Sequence, residues 1–171
     1  MSNEFWRNKK VFITGHTGFK GGWLSLWLND LGANVTGFSL LPSTSPSFFD
    51  VCSVDSSVKS IIGDVRDYVR LKKSIQDESP DIVFHMAAQA LVLDSYIDPV
   101  ATYETNLMGT VNILNALRET PSVKAFINIT SDKCYENIEK YSGYTEEDRM
   151  GGFDPYSSSK GCAELITAAY R

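Results

Sequence analysis

A phenol and an ammonium stand four residues apart in Tyr156-Ser-Ser-Ser-Lys160. On a helix, positions i and i+4 share a face, so Lys160 can bring its charge beside the Tyr156 hydroxyl and favour the phenolate. A free phenol titrates near ~10, too high for a base at neutral pH without such help. The pair is therefore a candidate for proton abstraction, although by itself it equally describes an exposed aromatic–cation pair on a surface helix. Upstream, Ser131-Asp132-Lys133 sets a hydroxyl, a carboxylate and an amine in succession. At the end of a strand such a triplet can hold an acid and a base, or merely form a surface ion pair that contributes little.

Near the N-terminus, Gly15-His-Thr-Gly18-Phe-Lys-Gly21 carries three glycines in the spacing GxxGxxG. Glycines so placed at a strand-to-helix junction permit a tight turn, close approach of backbone to a pyrophosphate and close packing of helix on strand. Gly15, Thr17, Gly18, Phe19, Lys20 and Gly21 are the candidate cofactor contacts, with a glycine-rich turn of some other α/β protein as the plainer reading. In Gly63-Asp64-Val65-Arg66-Asp67, Asp64 can accept a bond from an adenine amino group with Val65 beside it. Alternatively, Asp64 or Asp67 caps the helix that follows. Glycine loop, acidic turn, Ser-Asp-Lys and Tyr-xxx-Lys occur in the order that a single dinucleotide site requires.

These residues need a scaffold, and the hydrophobic pattern supplies one. Residues 10–14 (KVFIT) form a nearly continuous apolar run, as in a parallel strand buried on both faces. Phe19, Trp23, Leu24, Leu26, Trp27, Leu28 and Leu31 then recur at helical spacing up to the stop at Gly32, giving a helix over 18–31. Further strands are expected at 34–40, 58–63, 81–85 and 123–130, and helices at 68–78, 99–120 and from 155 onward. Residues 42–46 read as an irregular loop. In the 99–120 helix the buried stripe is expected to be Val100, Tyr103, Leu107, Val111, Leu114 and Leu117. Alternating strands and helices predict a Rossmann-type, doubly wound parallel α/β sheet, with the polar clusters outside the carboxyl ends of its strands. One domain, 1–171, is expected. Its last helix is still running at Tyr170 without Gly, Asn or Pro to stop it, so the domain is expected to be incomplete at its C-terminal end, with no substrate domain.

Composition narrows the function classes. Sixteen basic residues against twenty-one acidic ones give a net charge of −5 with no Lys/Arg cluster, which argues against nucleic acid as a partner. No apolar run approaches the ~18 residues of a membrane span, and the N-terminus lacks signal-peptide form, so a cytoplasmic location is expected. Cys52, Cys134 and Cys162 are widely separated and in no CxxC spacing, so neither a disulfide framework nor a zinc site is expected.

Taken together, residues 15–21, 63–67, His85-Met-Ala-Ala-Gln89 and Tyr156/Lys160 resemble the extended short-chain dehydrogenase/reductases that modify nucleotide sugars. Within that superfamily the segments GHTGFKGGWL, SYIDPVATYETNLMGT, TSDKCYEN and DPYSSSKGCAEL look most like those of the CDP-glucose 4,6-dehydratases. The discriminating residue is Lys133, since related dTDP-glucose dehydratases carry Glu there. The resemblance implies NAD as cofactor and CDP-glucose as substrate, oxidised transiently at C4, relieved of its 6-hydroxyl as water, and reduced at C6. It implies Tyr156 as the base at the 4-hydroxyl, Lys160 as its activator and Ser131 as a hydrogen-bond partner of that hydroxyl. Lys133 becomes the base at C5, which requires a dry or positively charged site, and Asp132 the acid on the departing hydroxyl. Ala87, Ala88 and Gln89 would line the dinucleotide, Asn106 would organise the site, and Ser95 and Tyr96 would approach the sugar.

Other nucleotide-sugar epimerases or dehydratases, and a non-catalytic dinucleotide-binding module, are the competing readings. Relatives form homo-oligomers through helices equivalent to 99–117 and 156–170. The chain departs from the family at Ala90 and Leu93, where Pro and Arg are usual, implying an altered substrate or phosphate contact. It departs again where strand two ends in Phe38-Ser39, since the acidic residue that typically holds the adenosine ribose is missing. Sequence logic alone therefore leaves NAD and NADP open.

Overall fold

The computed structural model describes residues 4–171. Five parallel strands, β1 (Lys10–Thr14), β2 (Asn34–Ser39), β3 (Lys59–Ile62), β4 (Ile82–His85) and β5 (Ala125–Asn128), form one sheet in the order β3-β2-β1-β4-β5. β1 lies at its centre, paired in register with β2 on one side (Ile13 opposite Gly37) and β4 on the other (Ile13 opposite Phe84). Because side chains alternate along a strand, its residues feed two cores. Val11 and Ile13 pack with Leu28, Val35, Phe49 and Val54 on one face, while Phe12 packs with Phe38, Leu71, Ile75 and Ile113 on the other. The first face is covered by α1 (Phe19–Asp30) and two short helices, α2 (Phe48–Val51) and α3 (Val54–Ser57); the second holds α4 (Tyr68–Glu78) and α7 (Gly109–Arg118). The strand order reverses at β1, between β2 and β4, and there an open α/β sheet offers its ligand crevice.

Three local departures from the pattern have physical causes. In α1 the face against the protein is Gly21, Gly22, Ser25 and Leu28, whereas Phe19, Trp23 and Trp27 are exposed. The small residues let the helix press onto the glycine turn. Trp23 stacks on Phe48 with centroids 5.3 Å apart, and Phe19 meets the same ring edge-on at 5.4 Å. The expected single helix over 99–120 is three segments, α6 (Pro99–Tyr103), a π turn (Glu104–Met108) and α7. The wide turn changes which residues face inward: Thr102, Asn106, Gly109, Thr110 and Ile113 are buried, and Val100 is not. Finally, α2, α3 and α5 (Val92–Ile97) fall where the periodicity of single turns is too short to read. No helix among the described residues is long and apolar enough to cross a membrane, and no group of potential metal ligands occurs among them.

Candidate functional site

At the carboxyl ends of the strands lies a cleft of about 790 Å³. The glycine turn forms its floor. Gly15 has φ +83°, and a Cβ on it would lie 2.7 Å from the Ala87 nitrogen. A Cβ on Gly21 would lie 2.1 Å from the Gly15 carbonyl oxygen, so the start of α1 rests directly on the turn. Gly15 and residues 17–21 all border the cleft, as do Asp64, Val65, Ala87, Ala88, Tyr156 and Lys160. The two ends of the sequence motif set therefore meet in one concavity.

Each side chain is placed by its element. Asp154 caps α8 (Pro155–Tyr170), accepting from the Ser157 amide at 2.8 Å, and Pro155 takes the first helical position, where no amide is needed. Tyr156 is thus held in the first turn, at the cleft, with Lys160 one turn deeper. Lys160 is buried and donates to the Ile129 carbonyl at 3.2 Å. Burial, and then repulsion from the Lys20 ammonium, lower its pKa to about 8. A solvated aromatic–cation pair is excluded by that burial.

At the other end of the cleft the two acidic residues divide the work. Asp67 caps α4, accepting from the Arg70 amide at 3.1 Å, while Asp64 receives the Arg66 guanidinium at 2.9 and 2.7 Å. Hydrogen bonds from Arg66 hold the Asp64 carboxyl below its ordinary range. Arg66 also reaches Glu104 at 3.4 Å.

Some predicted residues stand behind or beside the cleft. Asn106, turned inward by the π turn, accepts from the Gln89 amide at 2.8 Å and donates to the Gln89 carbonyl at 3.0 Å and to Ser159 Oγ at 2.9 Å. It organises the wall without touching the cleft. The Gln89 side chain folds back onto the Leu91 carbonyl and Thr102 Oγ1, both at 3.0 Å, instead of lining the cleft. Ser131 Oγ accepts from the Lys133 amide at 3.2 Å and opens a short 3₁₀ turn over Asp132–Cys134. That turn lies just past Ile129 and Thr130, which border the cleft. Asp132 and Lys133 are exposed and form no ion pair with each other. The expected sugar contact from Ser95 is not what the structure shows: it is wholly buried in α5 with its hydroxyl given to the Val92 carbonyl at 2.7 Å, and Tyr96 points to solvent.

Sequence reasoning missed a buried relay behind the glycine turn. Thr14 Oγ1 accepts from the Met86 and Ala87 amides at 3.1 and 3.2 Å and contacts His85 Nδ1 at 2.7 Å. Thr110 Oγ1 meets His85 Nε2 at 3.3 Å and donates to the Asn106 carbonyl at 2.6 Å. Counting protons leaves one arrangement: Thr14 donates to Nδ1, and the Nε2 hydrogen goes to Thr110. The relay joins β1, β4 and the π turn, and its only trace in the sequence is a histidine closing an apolar strand. Beyond Ser39, the wall over residues 40–48, which includes Leu41 and Phe48, was also missed.

The family model described as GDP-mannose 4,6 dehydratase matches residues 12–171. The chain belongs to the GDP-mannose 4,6 dehydratase family. Within this family and its kin, the chain is 53% identical to a CDP-glucose 4,6-dehydratase of Salmonella typhimurium over all 171 residues, which cover 48% of that protein. A CDP-paratose 2-epimerase of Salmonella typhi is 28% identical over 94% of this chain and 52% of its own length. Among solved structures, a UDP-glucose 4-epimerase of Brucella ovis in complex with NAD superposes with a TM-score of 0.83 at 26% identity, over 95% of this chain and 47% of that one. The chain spans about half the length of the curated relatives it matches.

Proposed function

We propose that this chain is the cofactor-binding, catalytic-residue portion of a nucleotide-sugar 4,6-dehydratase that uses NAD and acts on CDP-glucose. One observation carries the reading: the glycine turn and the Tyr156/Lys160 pair border the same cleft, and Ser131-Asp132-Lys133 follow directly in the chain on Ile129 and Thr130, which also border it. The cleft fits a dinucleotide, because the Gly15–Gly21 contact leaves no room for a Cβ and so bares backbone amides at the start of α1. When bound, the nicotinamide supplies a hydride acceptor for C4 and a donor for C6.

The chain's own groups do the rest. Tyr156 takes the proton of the sugar 4-hydroxyl, Lys160 places a positive charge in the buried end of the cleft, and Ser131 holds the hydroxyl. A ketone at C4 acidifies the C5 proton, which Lys133 removes while Asp132 protonates the departing 6-hydroxyl. The product is CDP-4-keto-6-deoxyglucose. Asp132 and Lys133 stand in solvent here, so their roles require that bound substrate cover them. Pairing of chains through α6, α7 and α8 belongs to the same proposal, supported by the exposed Val100, Met108 and Leu165 on those helices and the π turn between them.

Calorimetric titration of NAD⁺ and CDP-glucose into this chain, and into a version extended to the length of its relatives, tests the reading. NAD⁺ is expected to bind both, and CDP-glucose to be converted by the longer one, with little or no turnover by the 171-residue chain. Absence of NAD⁺ binding to either would refute it. Because Lys160 titrates at about 8, NAD⁺ affinity is also expected to weaken several-fold between pH 7 and pH 9. A Lys160→Met variant should bind more weakly throughout and lose that pH dependence.

A further inference from the structure

One face of α8 is fastened to the end of β5 at three successive residues. Asn128 Nδ2 donates to Thr167 Oγ1 at 2.9 Å, Lys160 Nζ donates to the Ile129 carbonyl at 3.2 Å, and Thr130 Oγ1 donates to the Glu164 carboxylate. Lys160, Glu164 and Thr167 share a helix face. Asn128 and Thr130 share a face of the strand end, where the Ile129 amide still pairs with the His85 carbonyl at 2.9 Å. Ser131-Asp132-Lys133 follows at once, and the 3₁₀ turn it opens rests on the same helix: a Cβ on Gly161 would lie 3.3 Å from the Cys134 carbonyl oxygen.

Glu164 is half-buried and forms no ion pair among the described residues. Its charge is felt on both sides. Burial and then Lys20 oppose the Lys160 ammonium, and Glu164 favours it. Burial and then the Glu164 charge push the Cys134 thiol up, so the carboxylate also faces the 3₁₀ turn. The other titratable groups around Lys160 are Lys20 of α1, His85 of β4 and Tyr156 on its own helix, none of them a carboxylate. On the elements packed against α8, Tyr103 is tied to Ser158 Oγ at 2.6 Å, Glu104 is drawn to Arg66, and Asp94 is exposed. We infer that Glu164 is a positioning residue with two tasks: through Thr130 it holds the Ser131-Asp132-Lys133 turn in register with Tyr156, and it is the counter-charge of the Lys160 ammonium. Tether and charge reside in one carboxylate, so the turn and the helix move as one body.

The role deepens the function proposed above, and rests on it for turnover only. Lys160 is titrated in this chain by nuclear magnetic resonance of isotope-labelled lysine, its signal assigned by its loss in Lys160→Met. The unaltered chain is expected to show a midpoint of about 8. Glu164→Gln still offers Thr130 an acceptor and loses only the charge, so the midpoint should fall by about half a unit. Glu164→Asp, which keeps the charge, should bring it back toward the parent value. A merely structural role would lower the melting temperature of both variants and leave the midpoint in place. Turnover of CDP-glucose is measured in the version extended to the length of the relatives. There Thr130→Val, which keeps the charge and removes the tether, should lower kcat about tenfold with KM within about twofold, because register matters to the reacting geometry more than to binding. Thr130→Ser should restore kcat. A Lys160 midpoint unmoved by Glu164→Gln, or a kcat unmoved by Thr130→Val, overturns the inference. Absence of turnover by the unaltered extended version refutes the proposed function instead, and the Lys160 midpoints then still decide the role of Glu164.

Discussion

Gly21→Ala is expected to abolish measurable NAD⁺ binding and to lower the melting temperature by several degrees. The added Cβ would lie 2.1 Å from the Gly15 carbonyl oxygen, 2.7 Å from its carbon and 3.0 Å from the His16 Cα. All three are backbone atoms, so no rotamer change relieves the contact. The Gly15 peptide is pinned in turn, its amide donating to the Phe38 carbonyl at 2.9 Å and its carbonyl accepting from the Gly18 amide at 3.1 Å. The start of α1 must therefore move outward by over an ångström, at a cost of about 1–3 kcal/mol of overpacking strain. The same displacement withdraws the helix N-terminus from the position proposed above for the pyrophosphate.

Gly18→Ala makes the informative contrast. Its Cβ would sit 3.4 Å from the Gly15 oxygen, an ordinary contact, yet Gly18 borders the cleft. Affinity should drop while the melting temperature stays within about a degree or two, since no overpacking is created. Thermal unfolding followed by circular dichroism, paired with calorimetry, separates the two outcomes. A Gly21→Ala protein binding NAD⁺ as well as the unaltered chain would mean that the turn is not where the phosphates lie.

The motifs legible in the sequence were those whose chemistry is local. The glycine spacing reports a turn that only glycine can make, and the i, i+4 separation of Tyr156 and Lys160 is a property of any helix, so both survived folding unchanged. The parallel sheet covered on both faces was readable because β1 and β4 are apolar runs, but its order, β3-β2-β1-β4-β5, was not. What stayed hidden depends on distant partners. α1 looks like a helix whose aromatic stripe faces the core, but the demand for a close approach at Gly21 turns its small residues inward and leaves Phe19, Trp23 and Trp27 outside. Asn106 sits in an apolar-periodic segment that reads as one α-helix; only the π turn reveals that the amide points at Gln89 and Ser159. His85 looks like the polar end of a strand until Thr14 and Thr110 are found on either side of it.

Acid is expected to unfold this protein early, and chiefly through its two histidines. His85 is wholly buried, and burial, with the Lys160 charge second, pushes its pKa down to about 3; burial alone pushes His16 down to about 4. Neither imidazole has room to charge. The His85 nitrogens are both committed within the Thr14–Thr110 relay, while His16 Nε2 contacts Ser60 Oγ at 2.7 Å and its Nδ1 has no partner. In the unfolded chain both rings titrate near ~6.5. Between that value and the folded ones the unfolded state holds more protons, so stability is complete above about pH 6.5 and is lost as the pH falls toward 4 and then 3. The loss is on the order of 2–3 kcal/mol per histidine by pH 4, a large part of a domain's ordinary margin. Urea unfolding from pH 7 to pH 5 should show a steep fall in free energy. His85→Gln and His16→Gln are each expected to be less stable at pH 7 but to depend on pH less steeply, by close to one proton per variant. The Asp64 carboxyl, held ionised by Arg66, contributes only at lower pH and should leave the same residual slope in all three proteins. Equal slopes in the parent and both variants would show that the rings are already protonated, or already solvated, in the folded chain.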